Sequence, residues 1–116
     1  MIKSITGKDR GAKRGAALQG GLCSPQKIAI VKDNGRFSGV DTAAHELAHL
    51  FNSPHDGHGT SRQCPASARH LMNPHGQRTQ PPKFSECSKR AIAEFIKSSA
   101  AFCLRPNWEM APPPIL

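Results

Sequence analysis

The stretch His45-Glu46-Leu47-Ala48-His49-Leu50-Phe51-Asn52-Ser53-Pro54-His55-Asp56, "HELAHLFNSPHD", holds three of the chain's six histidines and two of its eight acids. On an α-helix, residues four apart lie one above the other, so His45 and His49 can each aim a ring nitrogen at one point about 2 Å away. Two metal ligands are thereby set by backbone geometry. Glu46, one residue round from His45, can reach a water on the metal without ligating it, which is the position of a general base. His55 follows too far along a straight helix to share the metal, so the helix must stop and turn after His49. Asn52 suits that turn because Asn enters the left-handed conformation more readily than other non-glycine residues, and Pro54 keeps the helix from resuming. An ordinary helix with surface histidines explains the HExxH spacing but not a third histidine at this offset.

Upstream, Ala16-Ala17-Leu18-Gln19 reads as a short strand before Gly20-Gly21, where a bend or a close backbone approach is expected. Lys27-Ile28-Ala29-Ile30-Val31-Lys32 is a β-branched run that ends in the turn signal Asp33-Asn34-Gly35. Both of its faces are apolar, which predicts a strand inside a sheet and covered on each side. Asp41 or Thr42 is the expected cap of a helix through Phe51, with Ala44, Leu47, Ala48 and Phe51 on its apolar stripe. From Asn52 to Pro82 the chain lacks a sustained period and reads as irregular loop, which at that length is functional or tied down. Ser88 is the expected cap of a second helix with Ile92, Phe95 and Ile96 on one face, and Pro106 with Pro112-Pro113-Pro114 closes the structured part.

The chain has 116 residues, enough for one modest core. Its formal charge of +8 favours anionic partners such as a glycosaminoglycan, an acidic protein or a membrane surface. Lys3, Lys8, Arg10, Lys13 and Arg14 cluster at the start with no aromatic among them on which a base could stack, so the segment reads as a solvated basic arm and not as a nucleic-acid site. No run is long and apolar enough for a membrane span. Cys23, Cys64, Cys87 and Cys103 form no C-x-x-C pair, and an even count with long gaps suits two disulfides in a secreted protein. Met1-Ile2-Lys3-Ser4 opens no signal-peptide run, so either a leader lies outside this chain or the cysteines are reduced.

The pattern H-E-x-x-H-x-x-[G/N]-x-x-H-D resembles the metzincin zinc endopeptidases, and Asp56 points to their adamalysin or reprolysin branch. Gly20-Gly21-Leu22-Cys23-Ser24-Pro25 is similar to that family's "GGxCSP" segment, and Lys32-Asp33-Asn34-Gly35 to its "xDNG". Leu71-Met72-Asn73-Pro74 resembles the Met-turn, Phe84-Ser85-Glu86-Cys87-Ser88 the "[FW]SxCS" that opens the last helix, and Cys103-Leu104 the closing "CL". Phe51 to Asp56 is similar to the "FNxPHD" of secreted members bearing thrombospondin repeats. His55-Asp56-Gly57 with a short, cysteine-poor tail resembles tick salivary-gland metalloproteases.

The resemblance implies an α+β, zincin-like catalytic domain, partial, spanning residues 1–104: edge strand, active-site helix, Met-turn loop and C-terminal helix, with 1–15 a mobile basic start and 105–116 a Pro-rich tail. It implies that His45, His49 and His55 bind one Zn2+ per chain and that Glu46 is the catalytic base. Asn52 and Asp56 would support the turn, Met72 would form the floor, and Ala16, Ala17, Leu18, Gln19 and Gly20 would be the edge on which an extended substrate lies. Cys23 with Cys103 and Cys64 with Cys87 is the implied pairing, the smaller loop adding about 3 to 4 kcal/mol. The implied function is a secreted metalloendopeptidase acting on extracellular matrix or clotting proteins. The alternative is a non-catalytic fragment that binds zinc or an anionic surface. Nearly all of this chain is covered, but only about half of the family's catalytic domain.

Overall fold

The computed structural model describes residues 14–105. Strand β1 (Gly15–Ala17) runs antiparallel to β2 (Ala29–Val31), pairing Gly15 with Val31, Ala16 with Ile30 and Ala17 with Ala29. Helix α1 (Val40–Leu50) packs against both strands. After it, single 3-10 turns at Gly59–Ser61 and Ala66–Ala68 interrupt a long loop, helix α2 (Glu86–Lys97) follows, and a 3-10 segment Ser99–Leu104 ends the described chain. Disulfides join Cys23 to Cys103 and Cys64 to Cys87, the second tying the long loop to α2.

The ribbon differs from the covered strand that the apolar run predicts. Among the described elements β2 packs mainly against β1 and α1, and Ala29, Ile30 and Val31 are all half-buried. A two-stranded ribbon under one helix cannot shut water away from both faces. β1 is also shorter than expected: Leu18, Gln19 and Gly20 leave the ladder, with Gly20 at φ 75°. Gly15 lies in the ladder and the Arg14 carbonyl accepts from the Lys32 N–H at 2.8 Å, so the expected mobile start does not reach them. Residues 1–13 and 106–116, with the rest of that basic start and the closing prolines, lie outside the described residues.

Both helix caps correct the sequence expectation. α1 begins at Val40, ahead of Asp41 and Thr42, with Gly39 at the cap position and no side-chain cap of its own. Asp33 does that work from the preceding turn: its carboxylate accepts from the Gly39 and Gly35 N–H groups, each at 2.7 Å. Those two bonds, that to Gly39 first, hold the Asp33 carboxyl below its usual pKa. A side chain on residue 39 would put its Cβ 2.7 Å from the Lys32 carbonyl, so only glycine fits. In α2 the cap is Ser85, not Ser88; its Oγ accepts from the Ser88 N–H at 3.1 Å, and Ser88 lies buried inside the first turn.

The buried faces shift as well. α1 turns Thr42, His45, Glu46 and Ala48 inward and leaves Leu47 49 % exposed, because the ring nitrogens face the Met72 loop. α2 buries Cys87, Ala91 and Phe95, half-buries Ile92 and leaves Ile96 43 % exposed. The apolar core is small, made of Ala48, Leu50, Leu71, Met72, Cys87, Ala91, Phe95 and Ala101. Beside it are fully buried polar side chains, among them Asp56, Ser53, Ser61 and Ser88.

Candidate metal centre and cleft

His45 and His49 stand on successive turns of α1, their ring centroids 4.8 Å apart. The helix then ends in a Schellman motif. The Asn52 N–H donates to the His49 carbonyl at 2.8 Å and the Ser53 N–H to the Ala48 carbonyl at 2.9 Å, with Asn52 at φ 72°. This turn returns the chain so that His55 Nε2 lies 3.2 Å from the Nε2 atoms of both His45 and His49.

The hydrogen bonds at the far ring nitrogens fix two of the three tautomers. His45 Nδ1–H donates to the Leu71 carbonyl at 2.6 Å and His49 Nδ1–H to the Ser53 carbonyl at 2.8 Å. A carbonyl only accepts, so both Nδ1 atoms carry the proton and both Nε2 atoms present bare lone pairs in the neutral ring. Both lone pairs point at His55 Nε2, 3.2 Å from each, and with His55 as the Nδ1–H tautomer the three form a facing set of donors that a cation between them would hold. Ligands at about 2.05 Å in a tetrahedron stand about 3.3 Å apart, so the donor set fits zinc. The carbonyls on Nδ1 are the outer-shell partners that fix tautomer and ring direction.

Burial depresses all three imidazoles. His45 is pushed down to about 4, desolvation outweighing the Leu71 bond that favours its charged form. His49 and His55 are lowered by the same burial, His55 also by the charges of His49 and His58. Each is therefore neutral at neutral pH, as a ligand must be.

Glu46 is buried beside His45. A Cβ on Gly15 would fall 2.9 Å from both Glu46 Cγ and Oε2, so the missing side chain of the strand makes room for this carboxylate. Gly15 was not among the residues singled out from sequence; a glycine at the end of a basic arm gives no signal of what packs on it.

Met72 is fully buried in its turn, between the Leu71 carbonyl that meets His45 and its own carbonyl, which accepts from the Asp56 N–H at 2.9 Å. Asn73 holds the turn from inside: its Nδ2 donates to the His70 and Gln77 carbonyls at 2.7 and 2.8 Å, and its Oδ1 accepts from the His75 and Gly76 N–H groups. Asp56 points away from the imidazoles toward α2, where its Oδ1 accepts from Ser85 Oγ at 2.7 Å and Ser88 Oγ at 3.5 Å. It thus links the third histidine, the methionine turn and the start of α2. His58 and His75 are exposed and His70 half-buried, and none belongs to the metal-binding group.

The expected substrate edge is divided. Ala16 and Ala17 lie in β1, whereas Gly20 turns so that its N–H donates to the His49 carbonyl at 2.8 Å and Gln19 Nε2 reaches Asn52 Oδ1 at 3.4 Å. Beside Glu46 opens a cleft of about 300 Å³ bordered by Gly15, Thr42, His55, Arg14 and Arg78.

Residues 1–107 match the family described as reprolysin (M12B) family zinc metalloprotease. Venom metalloproteinase 3 of Eulophus pennicornis is 38 % identical over 104 residues, covering 86 % of this chain and 25 % of that protein. An antarease-like venom metalloproteinase of Tityus trivittatus is 36 % identical, covering 78 % of this chain and 26 % of the relative. A disintegrin and metalloproteinase with thrombospondin motifs 20 of Mus musculus is 34 % identical over 80 % of this chain and 5 % of its own length. The chain thus spans about a quarter or less of these relatives. With the family match along nearly the whole sequence and a histidine set shaped for zinc, the chain belongs to the reprolysin family of zinc metalloproteases.

Proposed function

We propose that the chain is the part of a secreted zinc metalloendopeptidase that carries the chemistry, corresponding to the C-terminal half of the catalytic domain. The observation that carries this is the convergence of three Nε2 atoms beside a buried glutamate. His45, His49 and His55 hold the metal. Zinc, when bound, polarises the scissile carbonyl and acidifies water beside it. Glu46 accepts the proton of the attacking water and delivers it to the leaving amine. An extended peptide lies along β1, whose edge away from β2 has no strand partner among the described residues. Met72 forms the floor, and Asn52 and Asp56 hold the ligand turn. Two disulfides suit an oxidising, extracellular setting. Extracellular matrix or clotting proteins are the proposed substrates, an anionic glycosaminoglycan is a proposed surface partner of the +8 chain, and a likeness to tick salivary-gland metalloproteases is proposed alongside that to the thrombospondin-repeat members.

A second reading, zinc or anionic-surface binding without hydrolysis, is favoured by the half-buried ribbon that carries the substrate edge. Glu46→Ala separates the two. Peptide cleavage should fall at least about a hundredfold while bound zinc stays at one per chain, and unchanged cleavage would sink the enzyme reading.

A further inference from the structure

The cleft beside Glu46 carries charge that neither metal binding nor proton transfer uses. Arg78 enters its wall half-buried, its Nε–H donating to the Leu71 carbonyl at 3.4 Å and Nη1–H to the Gly76 carbonyl at 3.2 Å. Its Nη2 makes no hydrogen bond among the described residues. Arg14 reaches the same wall from the start of β1; a Cβ on Gly76 would lie 3.8 Å from Arg14 Nε. Asp41 and Glu46 act on the Arg78 charge, while the Nε–H and Nη1–H bonds of its guanidinium both go to backbone carbonyls.

We propose that this cleft receives an acidic side chain of the substrate, glutamate or aspartate, held by Arg78 and Arg14. The inference rests on the endopeptidase reading and names its substrate class. Glu46 borders the cleft and protonates the leaving amine, so the cleft serves the residue on the leaving-amine side of the scissile bond. A planar guanidinium with unused N–H groups matches a carboxylate with two parallel bonds. Burial, and after it the neighbouring Arg14 charge, work against the Arg78 cation, while Asp41 and Glu46 favour it. Its volume of about 300 Å³ is at the low end of ligand pockets, enough for one side chain and its water.

The probes are three peptide hydroxamates, whose chelating group fixes the register on zinc, identical except for a first side chain of glutamate, glutamine or leucine. Calorimetry on the zinc-loaded full chain should show the glutamate compound binding about tenfold tighter than the other two. Arg78→Gln should erase that advantage and Arg78→Lys keep part of it. Arg14→Gln, at a side chain with no hydrogen bond among the described residues, should reduce it several-fold and serves as the test where Arg78→Gln does not fold. Equal affinities for glutamate and glutamine, or an advantage that survives both glutamine substitutions, overturn the proposal. Cleavage of matched peptides by the wild-type chain is read separately: selective binding without cleavage defeats the endopeptidase reading and keeps the acidic cleft.

Discussion

The two sides of α1 are built on different principles. On one side is the β1–β2 ribbon, three residues per strand, half-buried along its length and closed by three pairs. On the other is the loop of residues 52 to 85, nearly without regular structure, yet holding the fully buried Met72, Asp56, Ser53 and Ser61 and pinned by Cys64–Cys87. The irregular side is fixed by particular bonds, Asp56 Oδ1 to Ser85 and Ser88 and the Asn73 side chain to its own turn, whereas apolar strand residues need only lose water. The ligands hang on the polar side.

Removing the polar link should therefore cost more than trimming the ribbon. Asp56→Ala strips the acceptor from two buried serines and should destabilise by about 3 kcal/mol, against about 1 kcal/mol for Ile30→Val, measured by urea unfolding of the two variants. Equal losses would erase the distinction between the two sides.

A pH titration sharpens it. His45 is held down to about 4 in the folded chain against 6.5 when unfolded. Between those values the unfolded chain takes up a proton that the folded one refuses, so stability is full above about 6.5 and falls as pH drops toward 4. Asp33, whose pKa lies below the carboxylate range, adds a loss only at still lower pH. The melting temperature of chelator-treated protein should fall by several degrees from pH 7 to 4.5, and His45→Gln should reduce that slope, His49 and His55 carrying the remainder. A flat profile in the parent chain would contradict the buried neutral imidazole.

The smallest effect is expected at the turn. Asn52 sits at φ 72°, so Asn52→Gly should be close to neutral, whereas Asn52→Ala should cost about 1 kcal/mol and lower zinc affinity by moving His55. Thermal melts with a zinc competition assay check both; an alanine variant indistinguishable from glycine would mean that the left-handed turn carries no strain.

The parts of this site legible in the sequence are those decided by neighbours along the chain. His45 and His49 follow from helical spacing, and the left-handed Asn52 from the need to return His55. What stayed hidden depends on which of several nearby candidates the three-dimensional surroundings select, or on residues distant in sequence. Asp33 caps α1 from the preceding turn, Ser85 rather than Ser88 caps α2 where it also meets Asp56, and Gly15 is shaped by Glu46, thirty-one residues away. The β-branched run at 27–32 promised a covered strand, and burial on both faces requires neighbours that no periodicity can supply. Leu47 failed the same way: the helical stripe was real, but His45 and Glu46 claimed the inward direction.

One oxygen joins the two sides. The His49 carbonyl accepts from Asn52 within the ligand turn and from Gly20 where the chain leaves β1, both at 2.8 Å. Strand end and ligand turn thereby share an acceptor, so a displacement of one is transmitted to the other at the point where the looser ribbon meets the metal-binding turn.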